Sequence, residues 1–183
     1  MSHSPAYHAK TPDAPLFPQP FNVRSYCPRD YRHVRRLYYE GLLAGHIDPF
    51  DPAEDLERID DFYTRWPNRH FWVAEAVGEV VGTVAVATED DGIAHLRRLR
   101  VAPEFPQRNR LVIALVQTAV AHARECGAVK LCFHTPLDNE KAILVLGDLG
   151  FQFARAREFN GRQLLEFYVS LYERLLSRNA KDD

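Results

Sequence analysis

The chain has 183 residues, 46% hydrophobic and 26% charged, with a formal net charge of −2. That length fits one domain with a sizeable core, and the charge supplies no basic field to neutralise phosphates, which argues against a nucleic-acid partner. Cys27, Cys126 and Cys132 lie far apart without a C-x-x-C pair, which argues against a disulfide framework or a metal site and for a reducing compartment. No apolar run approaches the roughly 20 residues of a membrane helix, and no basic-then-apolar signal pattern opens the chain, so the expectation is a cytoplasmic protein without a membrane partner.

Residues 1–20 hold five of the twelve prolines and few large apolar groups, a composition that reads as a flexible arm. Phe21 to Tyr26 reads as a short strand stopped by Pro28. Arg29 to Leu43 places Val34, Leu37, Tyr38 and Leu42 at helical spacing. Asp51 to Trp66 reads as a second helix, with Asp51 as N-cap, Pro52 at its first position and an apolar stripe of Leu56, Ile59, Phe62 and Tyr63. Trp72 to Val77 and Val80 to Thr88 are β-rich runs joined by Gly78-Glu79, followed by the turn Asp90-Asp91-Gly92. Ile93 to Val101 is the fourth strand. Leu111 to Cys126 is an apolar helix ended by Gly127, and Val129 to Phe133 the fifth strand. A helix over Asn139 to Leu149 stops at Gly150, and strands Phe151 to Phe159 and Leu164 to Leu171 meet at the Asn160-Gly161 turn. A charged tail, residues 173–183, follows.

The order β-α-α-β-β-β-α-β-α-β-β predicts one α/β domain (α+β in some schemes) over residues 21–172. Its mixed sheet has about seven strands, is mostly antiparallel and is flanked by helices, with a parallel pair where a helix joins two strands. The fourth strand is out of phase: Leu96 has one parity, Leu99 and Val101 the other. Either an extra residue bulges near Arg97-Arg98, opening a cleft beside the strand, or the arginines interrupt an edge.

Four stretches, in order, carry a family resemblance: VRSYCPRDYRHVRRLYYEGL, FWVAEAVGEVVGTVAV, HLRRLRVAPEF and NEKAILVLGDLGFQ. Together they resemble the first strand and helix, the central hairpin, the L-x-x-L-x-V-x-P-x-[YF] signature and the N-x-x-A-x-x-L-Y-x-x-x-G-F signature of the GNAT superfamily of N-acetyltransferases. The resemblance implies a β-bulge in strand 4 and a gap between strands 4 and 5 that takes the pantetheine arm of acetyl-CoA, the co-substrate. Leu99, Arg100 and Val101 would pair with that arm, and the Val101 amide would polarise the thioester carbonyl. The family binds the pyrophosphate at the next helix N-terminus. Asn139 matches the asparagine that contacts the pantetheine and also suits a helix N-cap. Ala142 and Leu146 follow on the same helix.

The chain departs from the family in two places. The pyrophosphate loop, [QR]-x-x-G-x-[GA], corresponds to Gln107, Arg108, Asn109, Arg110, Leu111 and Val112, without its glycines. Either Arg108 and Arg110 hold the pyrophosphate by side chains, or they are a solvated surface. The tyrosine that protonates the departing thiolate is replaced by Leu146; Tyr38, Tyr39 and Tyr168 are open substitutes. His95 stands where relatives place a glutamate base, and a histidine is a competent base near neutral pH. A strand histidine paired with a carboxylate such as Glu75 is the other reading, and His134 is a second candidate. Seven acids between Asp48 and Asp61 form either a lure for a cationic amine or a solvated helix face.

The expected activity is acyl-CoA-dependent N-acyl transfer, from acetyl-CoA to a small-molecule or peptide amine by direct attack. The alternatives are a catalytically degenerate ligand- or protein-binding domain and an enzyme using another acyl donor. The apolar last strand, Leu164 to Leu171, would suit a homodimer seam.

Overall fold

The computed structural model describes residues 20–41, 43, 53–89, 91–159 and 161–172. The proline-rich arm up to residue 19, Asp51-Pro52 and the tail from 173 lie outside the described residues. Seven strands form one sheet: β1 (Asn22–Ser25), β2 (Arg69–Ala76), β3 (Glu79–Thr88), β4 (Ile93–Val101), β5 (Lys130–Pro136), β6 (Gln152–Phe159) and β7 (Arg162–Ser170). They lie in the order β1-β2-β3-β4-β5-β7-β6. Every neighbouring pair is antiparallel except β4 and β5. The helices are α1 (Tyr31–Glu40), the short α2 (Glu54–Glu57), α3 (Arg108–Glu125) and α4 (Glu140–Asp148).

The parallel pair follows from the α3 crossover, which carries the chain from the end of β4 back to the start of β5. Gly82 in β3 lets α3 lie close: a Cβ there would sit 3.0 Å from Leu115 Cδ1 and 3.2 Å from Leu111 Cδ2. The core on that side includes Val84, Val86, Leu96, Leu99, Val101, Leu111 and Leu115, all buried. On the other face, Tyr38 of α1 lies under the guanidiniums of Arg98 and Arg100, and Tyr63 packs edge-on to Phe71 of β2.

Three expectations shift. The second helix is no continuous run: α2 is one turn long, and Asp60–Thr64 forms a wide π-type turn after it. Asp55, Leu56, Ile59 and Tyr63 are all buried at the spacing of one helical face, but the backbone breaks at Arg58, with φ −140° and ψ 50°. The β2–β3 hairpin turns at Val77-Gly78, since Ala76 pairs with Glu79. The last strand, β7, lies between β5 and β6; it offers no free edge, and a copy extending the sheet would pair with β6 or β1.

Val77 and Gly78 have φ of +52° and +81°, as a tight two-residue turn of the right twist requires. A β-branched side chain is strained there, and Val77 is 83% exposed, so packing does not compensate. Val77→Asn is therefore expected to raise stability by about 1 kcal/mol, measured from the urea midpoint; an unchanged or lower midpoint contradicts the strain.

Candidate active site

The slipped phase of β4 is a bulge. Thr83 pairs with Arg100 and Ala85 with Arg97, so Val84 alone faces Arg98 and Leu99. Arg98 takes up the extra residue with φ +54°, in the left-handed region that costs a non-glycine residue free energy. The Thr83 hydroxyl donates to the Arg98 carbonyl at 2.7 Å. The Arg98 side chain is buried, and its Nε and Nη2 donate to Asp55 Oδ2 and Oδ1 at 2.9 and 2.5 Å. The Tyr63 hydroxyl also donates to Asp55, and Arg97 Nη2 lies 3.7 Å from the same carboxylate. Burial pushes the Asp55 carboxyl up, but the hydrogen bonds and charge of Arg98, with Tyr63 and Arg97, outweigh it and hold the group below the usual carboxylate range.

β4 parts from β5 after His95, three residues ahead of the bulge at Arg98. The two pair only at Ile93–Lys130, Ala94–Leu131 and His95–Cys132, although β4 runs on to Val101 and β5 to Pro136. The result is a fork. The Ala102 N–H donates to Val81 of β3 at 2.8 Å; successive amides of a strand point to opposite edges, so the Val101 N–H faces the fork, and by the same alternation so does Leu99. Asn139 caps α4: its Oδ1 accepts from the Ala142 N–H and its Nδ2 donates to the Leu43 carbonyl, both at 3.4 Å.

At the α3 end, Arg108, Asn109 and Arg110 are exposed, and the first amides of a helix lack intrahelical acceptors. The Leu111 amide is already used, donating to the Gln107 carbonyl at 3.0 Å. Leu111 and Val112 side chains are core, as are Ala142 and Leu146 on α4. Arg108 Nη1 donates to the Pro103 carbonyl at 2.5 Å, and Arg110 lies 6.0 Å from the Phe21 ring. Gln107 Oε1 is buried without a partner among the described residues.

His95 stands at the apex, in the last paired rung. Its ring stacks on His134 of β5, centroids 5.6 Å apart and planes 19° apart. Its carboxylate partner is Glu89, at 3.5 Å; Glu75 is instead held by Arg24. Burial lowers the His95 pKa, Glu89 opposes that, and His134 and Arg97 add to it. His95 is therefore neutral, and able to accept a proton, at pH 7. His134 Nε2 lies 3.4 Å from Glu166 Oε2, and Arg155 Nε donates to that oxygen at 3.0 Å. Burial raises the Glu166 carboxyl, but Arg155 and His134 outweigh it and keep it ionised.

The β4 side of the fork thus carries His95, Leu99, Arg100 and Val101, while Asn139 caps α4 just past the end of β5 and Arg108 to Arg110 open α3. Among the substitute tyrosines, Tyr38 lies beneath arginines, Tyr39 is exposed beside Arg35, and Tyr168 donates to Gln152 at 3.2 Å. The Asp55–Arg98 pair was not foreseen; the parity break at Arg98 was its signal on one side, and nothing local marks Asp55 among its neighbouring acids. Among the described residues, no group of three or more His, Cys, Asp or Glu is arranged to hold a metal, and no helix is long and apolar enough to cross a membrane.

A sequence profile of the acetyltransferase (GNAT) family matches residues 31–151. The chain is 34% identical over 123 residues to a protein of Xenopus tropicalis described as probable N-acetyltransferase camello, covering 65% of this chain and 56% of that protein. The chain thus spans about half the length of this curated relative. Among solved structures, an acetyltransferase from Streptococcus agalactiae superimposes with a TM-score of 0.69 at 19% identity, covering 82% of this chain and 98% of that one. A spermidine N-acetyltransferase chimera from Vibrio cholerae gives 0.67 at 19%, covering 85% and 98%. At that identity the likeness shows the fold.

Asp55→Asn leaves the Arg98 guanidinium buried without its carboxylate, which is expected to cost about 3–5 kcal/mol in urea unfolding. Because the folded Asp55 pKa is depressed, its contribution is present above the ordinary carboxylate pKa and is lost as pH falls through the folded one. The variant should therefore show a shallower loss of stability in acid. An unchanged acid limb contradicts the assignment.

Proposed function

The chain belongs to the acetyltransferase (GNAT) family, and from that premise we propose that it is an N-acetyltransferase moving the acetyl group of acetyl-CoA to an amine by direct attack. The observation that carries this reading is the fork itself: a strand edge with an inward amide at Val101, ending on a neutral histidine.

The residues present fit acetyl-CoA. The free edge of β4 at Leu99, Arg100 and Val101 suits the amides of a pantetheine arm, with the Asn139 side chain at the start of α4, just past β5. The start of α3 offers its first amides to a pyrophosphate, helped by the helix dipole. Gly-free as the loop is, Arg108 and Arg110 bring positive charge to the same place. Bound acetyl-CoA supplies an activated acetyl carbonyl and a thiolate leaving group.

The Val101 N–H is aimed to stabilise negative charge building on the thioester oxygen. His95 takes the proton that the attacking amine gives up as its C–N bond forms and the C–S bond breaks. His134, stacked on His95 and anchored by Glu166, fixes the ring. The departing thiolate takes a proton from solvent, since Leu146 is buried and has none to give; a thiol near pKa 8.5 makes a tolerable leaving group without an acid. Three free thiols, Cys27, Cys126 and Cys132, support a reducing cytoplasmic setting.

His95→Ala should lower kcat/KM by about 10²–10⁴-fold while leaving the thermal shift given by acetyl-CoA in place. Neutral His95 is the active form and its pKa lies below the ordinary 6.5, so kcat/KM should rise through a limb below that pH and level off above it. Arg97→Ala removes a positive neighbour and should move the limb upward. A flat profile in the parent, or an unchanged one in His95→Ala, excludes His95 as base. Binding of acetyl-CoA without turnover of any amine would favour a degenerate binding domain instead.

A further inference from the structure

The acceptor side of the fork is short of free acids and rich in arginine. Asp55 is consumed by Arg98 and Tyr63. Glu57 is held by Arg35 and Tyr31, Asp61 by Arg58 and Arg65, and Asp60 accepts from the Thr64 hydroxyl. Of the described acids in that run, only Glu54 and Asp60, both exposed, have no basic partner among the described residues.

The polar face continuing from the histidines has the opposite character. Successive rungs place His134 beside Glu166 and Glu166 beside Arg155, and alternate residues of a strand share a face. His134 Nε2, Arg155 Nε and Arg157 Nε converge on the single oxygen Glu166 Oε2, at 3.4, 3.0 and 3.4 Å. Glu166 is nearly buried at 7%, whereas Arg155 and Arg157 are 54% and 52% exposed. One carboxylate does not neutralise two guanidiniums, so a positive charge is left facing solvent next to His134. Across the fork, Arg97 is 43% exposed and only 3.7 Å from an Asp55 already clamped by Arg98.

We infer that the acceptor carries a carboxylate beside its amine, and that Arg155 and Arg157, with Arg97 across the fork, recognise it while the amine meets His95. The inference rests on the acetyl-transfer reading above and names the substrate class of that site. The second carboxylate completes the pairing that Glu166 leaves short, in the geometry at which guanidinium and carboxylate bond strongly. It also sets the amine beside the histidines, since β5 and β6 lie about 10 Å apart with β7 between them. A polyamine would bring a second cation to these arginines and be repelled. In the transfer, the amine nitrogen bonds the acetyl carbon, the thioester C–S bond breaks, the amine proton goes to His95, and the carboxylate is unchanged.

The test uses the full chain with two readouts: calorimetric binding, and acetylation rates with acetyl-CoA. The probes are the twenty L-amino acids, each against its α-carboxamide, with spermidine alongside. At least one acid should bind and be acetylated with a KM about 10- to 100-fold below that of its amide. Arg157→Ala should raise the KM for that acid by a similar factor, with a smaller change in kcat, and should leave the KM for the amide nearly unchanged. Arg155→Ala, also on the exposed edge strand, should do the same. Amides or spermidine serving as well as acids, no acid binding, or equal KM effects on acid and amide would each overturn the inference. Acid binding that responds to Arg157→Ala without acetyl transfer would uphold the carboxylate site and remove the acetyl-transfer reading. Acetyl transfer to spermidine or amides alone would do the reverse.

Discussion

Arg98 holds a backbone conformation that its residue type disfavours, and the Asp55 carboxylate holds Arg98. The guanidinium, buried over Tyr38 and bonded through two nitrogens to Asp55, fixes an extra residue in β4 at φ +54°. Burying two charges costs several kcal/mol each, and a paired buried ion is a weak source of net stability. What it gives instead is direction: a bidentate pair tolerates little rotation. The strand leaves β5 three rungs after it starts, and it presents the Val101 amide to the gap. Without the bulge, Leu96 and Leu99 would lie on opposite faces, and one of these buried leucines would have to leave the core.

The same ion pair ties β4 beside the fork to α2. Above it, electrostatics divide the labour. The histidines at the apex are stacked and His95 is kept neutral by burial. Glu166 is kept ionised by Arg155 and His134 despite its own burial. A neutral histidine beside a positive face is the arrangement on which the proposed acceptor, an amine with an anionic group elsewhere on the molecule, rests.

Much of this was legible in the sequence, because its signals are local. The element order follows from periodicity, the parallel pair from the strand-helix-strand connection, and Asn139 as a cap from its place before an apolar helical run; the parity slip at Arg97-Arg98 left a bulge and an interrupted edge both open, and the register decides for the bulge. The hairpin turn was read one residue late because Val77 is a poor candidate for positive φ, and the register of Ala76 with Glu79 overrides that preference. The second helix was read as continuous because Leu56, Ile59 and Tyr63 fit a helical stripe; all three are buried, but the backbone breaks at Arg58, just after Asp55 reaches across to Arg98. That pairing spans 43 positions of sequence, and no local pattern reports it. His95 does lie beside a carboxylate, but it is Glu89 and not Glu75, which Arg24 of β1 holds; these partners meet only once the sheet is assembled.

The fork opens after His95 and the bulge at Arg98 sets the β4 edge along it; as proposed, acyl-CoA binds there. A crystal structure of the protein with acetyl-CoA tests it most directly. The pantetheine arm is expected between Leu99–Val101 and Asn139, with the thioester oxygen about 3 Å from the Val101 nitrogen. Acetyl-CoA bound elsewhere, or β4 and β5 closed on one another in its presence, would contradict it.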